Sequence, residues 1–167
     1  VTDTLATALE AALARFDGAS PVTEQVHYHF NRTAPTRRVE AVECMQRVLD
    51  AAAAAGGEPR NAVDAAVAVA ILQQSAVVHA DVNAVDGTSV RARYGLAHGI
   101  NAGDALCALA YLQLLVDPAV DRPAAQRVAM TRALQEANYA HCGGRSDALT
   151  AAARTLGVLA AGKTSAP

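Results

Sequence analysis

The residues able to do chemistry gather between Ser75 and Leu115, with a second group near Arg38. Two carboxylates, Asp81 and Asp86, stand five positions apart, with His79 and Asn83 as neutral neighbours. Carboxylate oxygens are what Mg²⁺ takes, in octahedral array. At roughly 100° per residue the two aspartates lie about 140° apart on a helix, so they share an ion only if the helix has ended by Asp86. One carboxylate with an amide is a poor Mg²⁺ site. Arg37-Arg38 and the pair Arg91 and Arg93 are the candidate anion pocket, with solvated surface or partner contact as the competing reading. His27 and His29 offer two imidazoles at i and i+2, which diverge on a helix. With no cysteine or acid partner nearby they do not read as zinc ligands. Cys44, Cys107 and Cys142 are widely spaced and read as buried small apolar residues in a reducing cytoplasm. No strand precedes Cys142-Gly143-Gly144, so it reads as a helix break rather than a nucleophile elbow. Neither the dinucleotide-binding G-x-G-x-x-G nor H-E-x-x-H nor C-x-x-C occurs.

The elements that position these residues follow from composition and periodicity. Apolar residues make up 52% of the 167, aromatics only 4%, and 41 residues are alanine. That excludes disorder and argues against a sandwich or barrel, whose strands favour β-branched and aromatic side chains. It predicts an all-α chain of closely packed helices, one domain over residues 1–167, without repeats or linkers. The net charge of −2 gives no bulk attraction to nucleic acid or anionic membrane. Uninterrupted apolar runs fall well short of the ~20 residues of a membrane span, and no signal peptide is legible. A cytoplasmic protein is expected.

Seven helices are predicted. The first covers Asp3 to Phe16, with Leu5, Leu9, Leu13 and Phe16 on one stripe. A short one covers Val22 to Phe30. The third runs from Thr36 to Ala55, burying Val39, Val42, Met45, Leu49 and Ala52, and stops at a left-handed cap on Gly56-Gly57. Pro59 opens the fourth, where its missing N–H costs nothing. This helix is apolar nearly all round, hence central, and stops near Gly87. A short basic loop then carries Arg91 and Arg93. The fifth helix spans Leu96 to Val116, the sixth runs from Asp121 and Pro123 to His141, and the seventh starts at Ser146 as N-cap and ends by Gly162. Asp104, alone in an apolar helix, needs a partner, with Arg93 or an N-terminal amide as the candidates.

Two stretches carry a family resemblance. They are Ser75-Ala76-Val77-Val78-His79-Ala80-Asp81-Val82-Asn83-Ala84 and Arg93-Tyr94-Gly95, followed by Ile100-Asn101-Ala102-Gly103-Asp104-Ala105-Leu106. They resemble the trans-prenyl diphosphate synthases, isoprenoid synthases with S-L-V-H-D-D-x-x-D and A-I-N-A-G-D-A-L segments. Tyr28-His29-Phe30, Gly143-Gly144-Arg145 with Asp147, and Lys163-Thr164 extend the resemblance along nearly the whole chain. It reaches only the N-terminal half or so of a full synthase. The implied fold is the corresponding half of the isoprenoid synthase bundle. The family ionises an allylic diphosphate on Mg²⁺ held by two D-D-x-x-D motifs. On this resemblance Ala80 and Ala84 replace the i, i+4 aspartates, Asp81 alone survives, and the second motif has no counterpart. Arg38 matches a substrate-binding arginine and Gln73 the substrate-binding histidine, while Pro35 and Thr36 replace a lysine and an arginine. Arg91 and Arg93 fall near the far end of a shortened diphosphate loop. Gly103 and Asp104 are structural.

The resemblance therefore implies diphosphate binding by Arg38, Gln73, Arg91 and Arg93, and Mg²⁺ on Asp81 and Asp86 only if a diphosphate is bound. It favours a non-catalytic accessory subunit of a heteromeric prenyl diphosphate synthase. The expected partner is a catalytic synthase or a second copy, met through the fifth and sixth helices by which the family dimerises. The alternatives are a noncanonical prenyltransferase or cyclase whose site is completed by oligomerisation, and a module binding an apolar isoprenoid.

Overall fold

In the computed structural model, residues 2–16, 20–32, 36–83, 87–116 and 121–163 are described. They form eight α-helices and no strand: α1 (Thr2–Leu13), α2 (Pro21–Arg32), α3 (Thr36–Ala54), α4 (Val63–Asn83), α5 (Val90–Tyr94), α6 (Leu96–Val116), α7 (Ala124–Cys142) and α8 (Ala148–Ala160). Short 3₁₀ turns at Ala14–Phe16 and Pro59–Ala62 extend α1 and introduce α4.

The centre is α4. Every residue from Asp64 to Leu72 is buried, because this segment is apolar on all sides and α6, α3, α8 and α1 pack around it. The run Pro59–Asn83 is long and apolar enough to cross a membrane, but 72% of its most apolar window is buried inside the bundle. A helix so enclosed is a core helix by its packing. Around it, α8 rests on both α3 and α7, and α2 and α5 cover the start of α6.

Local signals place most of the boundaries. At the end of α3, Gly56 adopts φ +78°. Its N–H bonds the Ala53 carbonyl and that of Gly57 bonds Ala52, each at 2.9 Å, which is a Schellman cap. Leu5, Leu9 and Leu13 are buried as one stripe; the Phe16 side chain lies outside the described residues.

Four expectations need correction. The basic loop is a helical turn, α5: Ser89 Oγ accepts from the Ala92 N–H at 3.1 Å, and Gly95 at φ +97° ends it. Val39 is 46% exposed, since α1 and α2 cover only one side of the start of α3. Asp147, not Ser146, is the N-cap of α8, without a side-chain capping bond. Only Cys44 among the thiols is buried; Cys107 is half-buried and Cys142 exposed.

One ion pair ties the ends of distant elements together. Arg122 precedes α7, and its Nη2 and Nε donate to Asp64 Oδ1 and Oδ2 at 2.6 and 3.2 Å. The same guanidinium donates to the carbonyls of Asn61 and Ala160. Both side chains are essentially buried, 3% and 0% exposed. Each charge is matched and hydrogen-bonded, the condition under which buried charges are tolerated.

Candidate functional site

The C-terminal half of α4 carries the candidate chemistry. Beyond Leu72 the helix is no longer enclosed: Gln73, Ala76 and Val77 are half-buried and Ala80 is exposed. These positions share one face at i, i+3, i+4 and i+7. The opposite face is polar but buried. His29 Nε2 meets Gln74 Oε1 at 2.9 Å, and Ser75 Oγ donates to the Gly103 carbonyl at 2.8 Å. At the start of α6, Gln25 Nε2 meets His98 Nδ1 at 2.8 Å. Burial requires such pairing. On the open face, Gln73 Oε1 is buried without a hydrogen-bond partner.

The crossing of α4 and α6 is built on Gly103. A Cβ there would fall 2.3–2.9 Å from the His79 ring, so only glycine admits the imidazole against this backbone. Asp104 then receives His79 Nε2 at 3.2 Å, a pair that is 41% and 68% exposed. Asp104, expected to need a partner inside an apolar helix, is instead exposed, and the group beside it is His79 rather than Arg93 or an amide.

Each candidate arginine is engaged within the chain. Arg38 pairs with Glu10 of α1 and donates to Asn31 Oδ1 at 3.0 Å. Arg91 Nη1 donates to the Val82 carbonyl, binding α5 to the end of α4. Arg93 lies over the rings of Tyr28 and Tyr94, 5.0 and 5.5 Å from their centroids. Hydrogen bonding to Tyr94 pushes its guanidinium up from the ordinary value. The two rings meet edge to face at 5.4 Å, and their hydroxyls donate to Thr88 O and Glu24 Oε1. Arg38 is thus held by α1 and α2, while Arg91 and Arg93 are held by α4, α2 and α5.

The metal expectation rests on Asp81 and Asp86. Asp81 is half-buried, and Asp86 lies outside the described residues. Among the described residues no three of His, Cys, Asp and Glu gather to hold a metal ion. Among the described residues the exposed neighbours of Asp81 on α4 are Ala80 and Asn83, of which only Asn83 offers a side-chain oxygen.

Gly157, Gly162, Lys163 and Thr164 stand at the spacing of a phosphate-binding P-loop. The structure gives that spacing no such role. Gly157 lies inside α8, and no strand precedes it. The N–H groups of Ala161, Gly162 and Lys163 bond back to the carbonyls of Gly157, Leu159 and Val158, leaving no cradle. Thr164 lies outside the described residues.

The side chains that decide the electrostatics carry uneven signals in the sequence. Glu10 and Asn31 carry no sequence signal for pairing with Arg38. Asp64 does: a carboxylate in an apolar run needs a cation, and Arg122 beside a helix start supplies it.

No family model and no curated protein matches this sequence. Solved structures do. A geranylgeranyl pyrophosphate synthase superposes at TM-score 0.72 with 18% identity, over 98% of this chain and 56% of its own. A candidate farnesyl-diphosphate synthase from Marinomonas sp. MED121 does so at 0.68 with 16% identity, over 98% of this chain and 69% of its own. The chain therefore has an all-helical fold like that of prenyl diphosphate synthases, and it spans little more than half the length of the first of them.

Proposed function

We propose that this chain is a non-catalytic accessory subunit of a prenyl diphosphate synthase assembly. The observation that carries the reading is where apolar surface is left uncovered. Of the seven large apolar side chains exposed among the described residues, Leu96, Ile100, Leu112 and Leu115 lie on α6, and Val128 and Tyr139 on α7. Val128 and Tyr139 are eleven residues apart, within about 20° on one helix face. Exposed apolar side chains gathered on two neighbouring helices favour a protein interface. Catalysis by this chain alone is disfavoured by the same inventory: Arg38, Arg91 and Arg93 are engaged, and alanine stands at positions 80 and 84. Diphosphate departure needs preorganised positive charge.

The test is a pull-down of a full-length prenyl diphosphate synthase from the same genome, with sedimentation of this chain alone. Association with the synthase, lost in Leu112→Glu and Tyr139→Glu, is expected, together with a changed product length. A chain that stays monomeric and ignores such synthases refutes the proposal.

One observation favours a second reading, a module that binds an apolar isoprenoid. Gln73 Oε1, a buried acceptor without a partner, lies on the open apolar face of α4 and suits a prenyl alcohol O–H. A thermal shift with farnesol that vanishes in Gln73→Leu supports it. Equal shifts in both proteins exclude that contact.

A further inference from the structure

A second concave surface lies between α3 and α8. The two helices cross at Gly157, where a Cβ would fall 2.5 Å from the Val48 carbonyl oxygen and 2.7 Å from Ala51 Cβ. There they touch backbone to backbone. On the solvent side they part, and the side chains between them are too small to fill the gap. The result is a groove of about 560 Å³ lined by Ala51, Ala54, Ala55 and Val158, with Arg47 and Asp50 on the α3 wall and Thr150 and Arg154 on the α8 wall. That volume falls within the usual range for small-molecule sites.

Its polar groups are not spent equally. Asp50 Oδ1 accepts from Gln46 Nε2 at 2.7 Å. Arg47 has no carboxylate partner among the described residues. Arg154 has neither ion pair nor hydrogen bond among the described residues. Two guanidinium groups from opposite walls and the single carboxylate of Asp50 thus line an apolar floor, which leaves the groove with an excess positive charge. Such a floor suits a hydrocarbon tail, and the facing cations suit a carboxylate or phosphate, which guanidinium donors match. A floor of four small side chains falls far short of the ~800 Å² per partner of a standard protein interface, which favours a small ligand.

We propose that this groove binds a single-tailed amphiphile with an anionic head, its tail on Ala51, Ala54, Ala55 and Val158 and its head between Arg47 and Arg154. The site is separate from the α4 face and does not depend on the accessory-subunit reading.

The test is calorimetric titration with dodecyl phosphate below its micellar concentration. One equivalent should bind. Inorganic phosphate and dodecanol, which carry the head and the tail alone, should each bind at least tenfold more weakly. Arg154→Ala should weaken binding about tenfold, the loss of one charge-assisted contact. Ala54→Trp should abolish it by filling the groove from an exposed position. If Ala54→Trp disturbs the circular dichroism spectrum, Thr150→Trp fills the groove from the other wall with the same expected loss. Ala80→Trp, on the open face of α4, should leave binding unchanged. The assignment is overturned if either fragment binds as well as the whole amphiphile, or if Arg154→Ala and the groove-filling variant bind like the parent. It is equally overturned if Ala80→Trp removes binding, which places the amphiphile on α4. Concentration-dependent dimerisation lost in Ala54→Trp, without dodecyl phosphate binding, overturns it in favour of a second copy.

Discussion

Replacing Arg122 by alanine should remove a large share of the stability of this fold. The guanidinium is 3% exposed and satisfies both oxygens of Asp64, itself 0% exposed, as well as the carbonyls of Asn61 and Ala160. Truncation leaves a buried carboxylate without its cation. Breaking one side of such a pair costs about 3–5 kcal/mol. In a domain of 150–250 residues each kcal/mol lowers Tm by about 2–4 °C, so a fall of roughly 6–20 °C is expected. Urea unfolding followed by circular dichroism at pH 7 measures the free energy directly. Arg122→Met combined with Asp64→Leu removes both charges and should recover at least about 2 kcal/mol of the loss, because apolar pairs of similar volume replace buried ion pairs at little cost. If Arg122→Ala costs under about 1 kcal/mol, or the double variant is no more stable than the single one, the assignment of this pair as the tie between α4, α7 and α8 is wrong.

Three further outcomes follow from the packing. Gly103→Ala should cost about 1–3 kcal/mol by urea unfolding, relieved by His79→Ala; Gly157→Ala should cost more, because the Val48 backbone and not a movable ring stands in the way. Ser89→Ala should cost about 0.5–2 kcal/mol in the same assay by removing the cap of α5, with Arg91 then less able to hold the end of α4. Under iodoacetamide, mass spectrometry should show Cys142 labelled first, Cys107 later and Cys44 only on unfolding, since burial pushes the Cys107 and Cys44 thiols up and away from the reactive thiolate. Equal labelling of Cys44 and Cys142 in the folded chain would contradict the burial.

The elements of the bundle were legible where their signals are local. α6 occupies Leu96–Val116, as predicted from its apolar run, and α3 ends within a residue of the predicted Ala55, because Gly56 satisfies its last carbonyls from positions adjacent in sequence. The all-helical fold followed from the same kind of evidence, alanine content and periodicity. The segment around α5 shows no helical period in the sequence, because a five-residue helix has too few turns. Its Ser89 cap was present in the sequence all the same.

The candidate site divides in the same way. That Asp64 needs a partner is a consequence of its apolar neighbours and can be read from the chain, whereas Asp104, 68% exposed, needs none. Which group each one meets cannot be read there. Asp104 is met by His79, twenty-five positions distant on α4, and Asp64 by Arg122, fifty-eight positions distant. The three arginines that resemble diphosphate ligands are bound by Glu10, Asn31, Val82, Tyr28 and Tyr94, residues from four different helices. Helix type and cap chemistry are set by groups within about four residues along the chain, so the sequence alone determined them. Whether a charge stays available for a ligand is set by what the packed helices bring within hydrogen-bonding reach, and only the tertiary structure decided that.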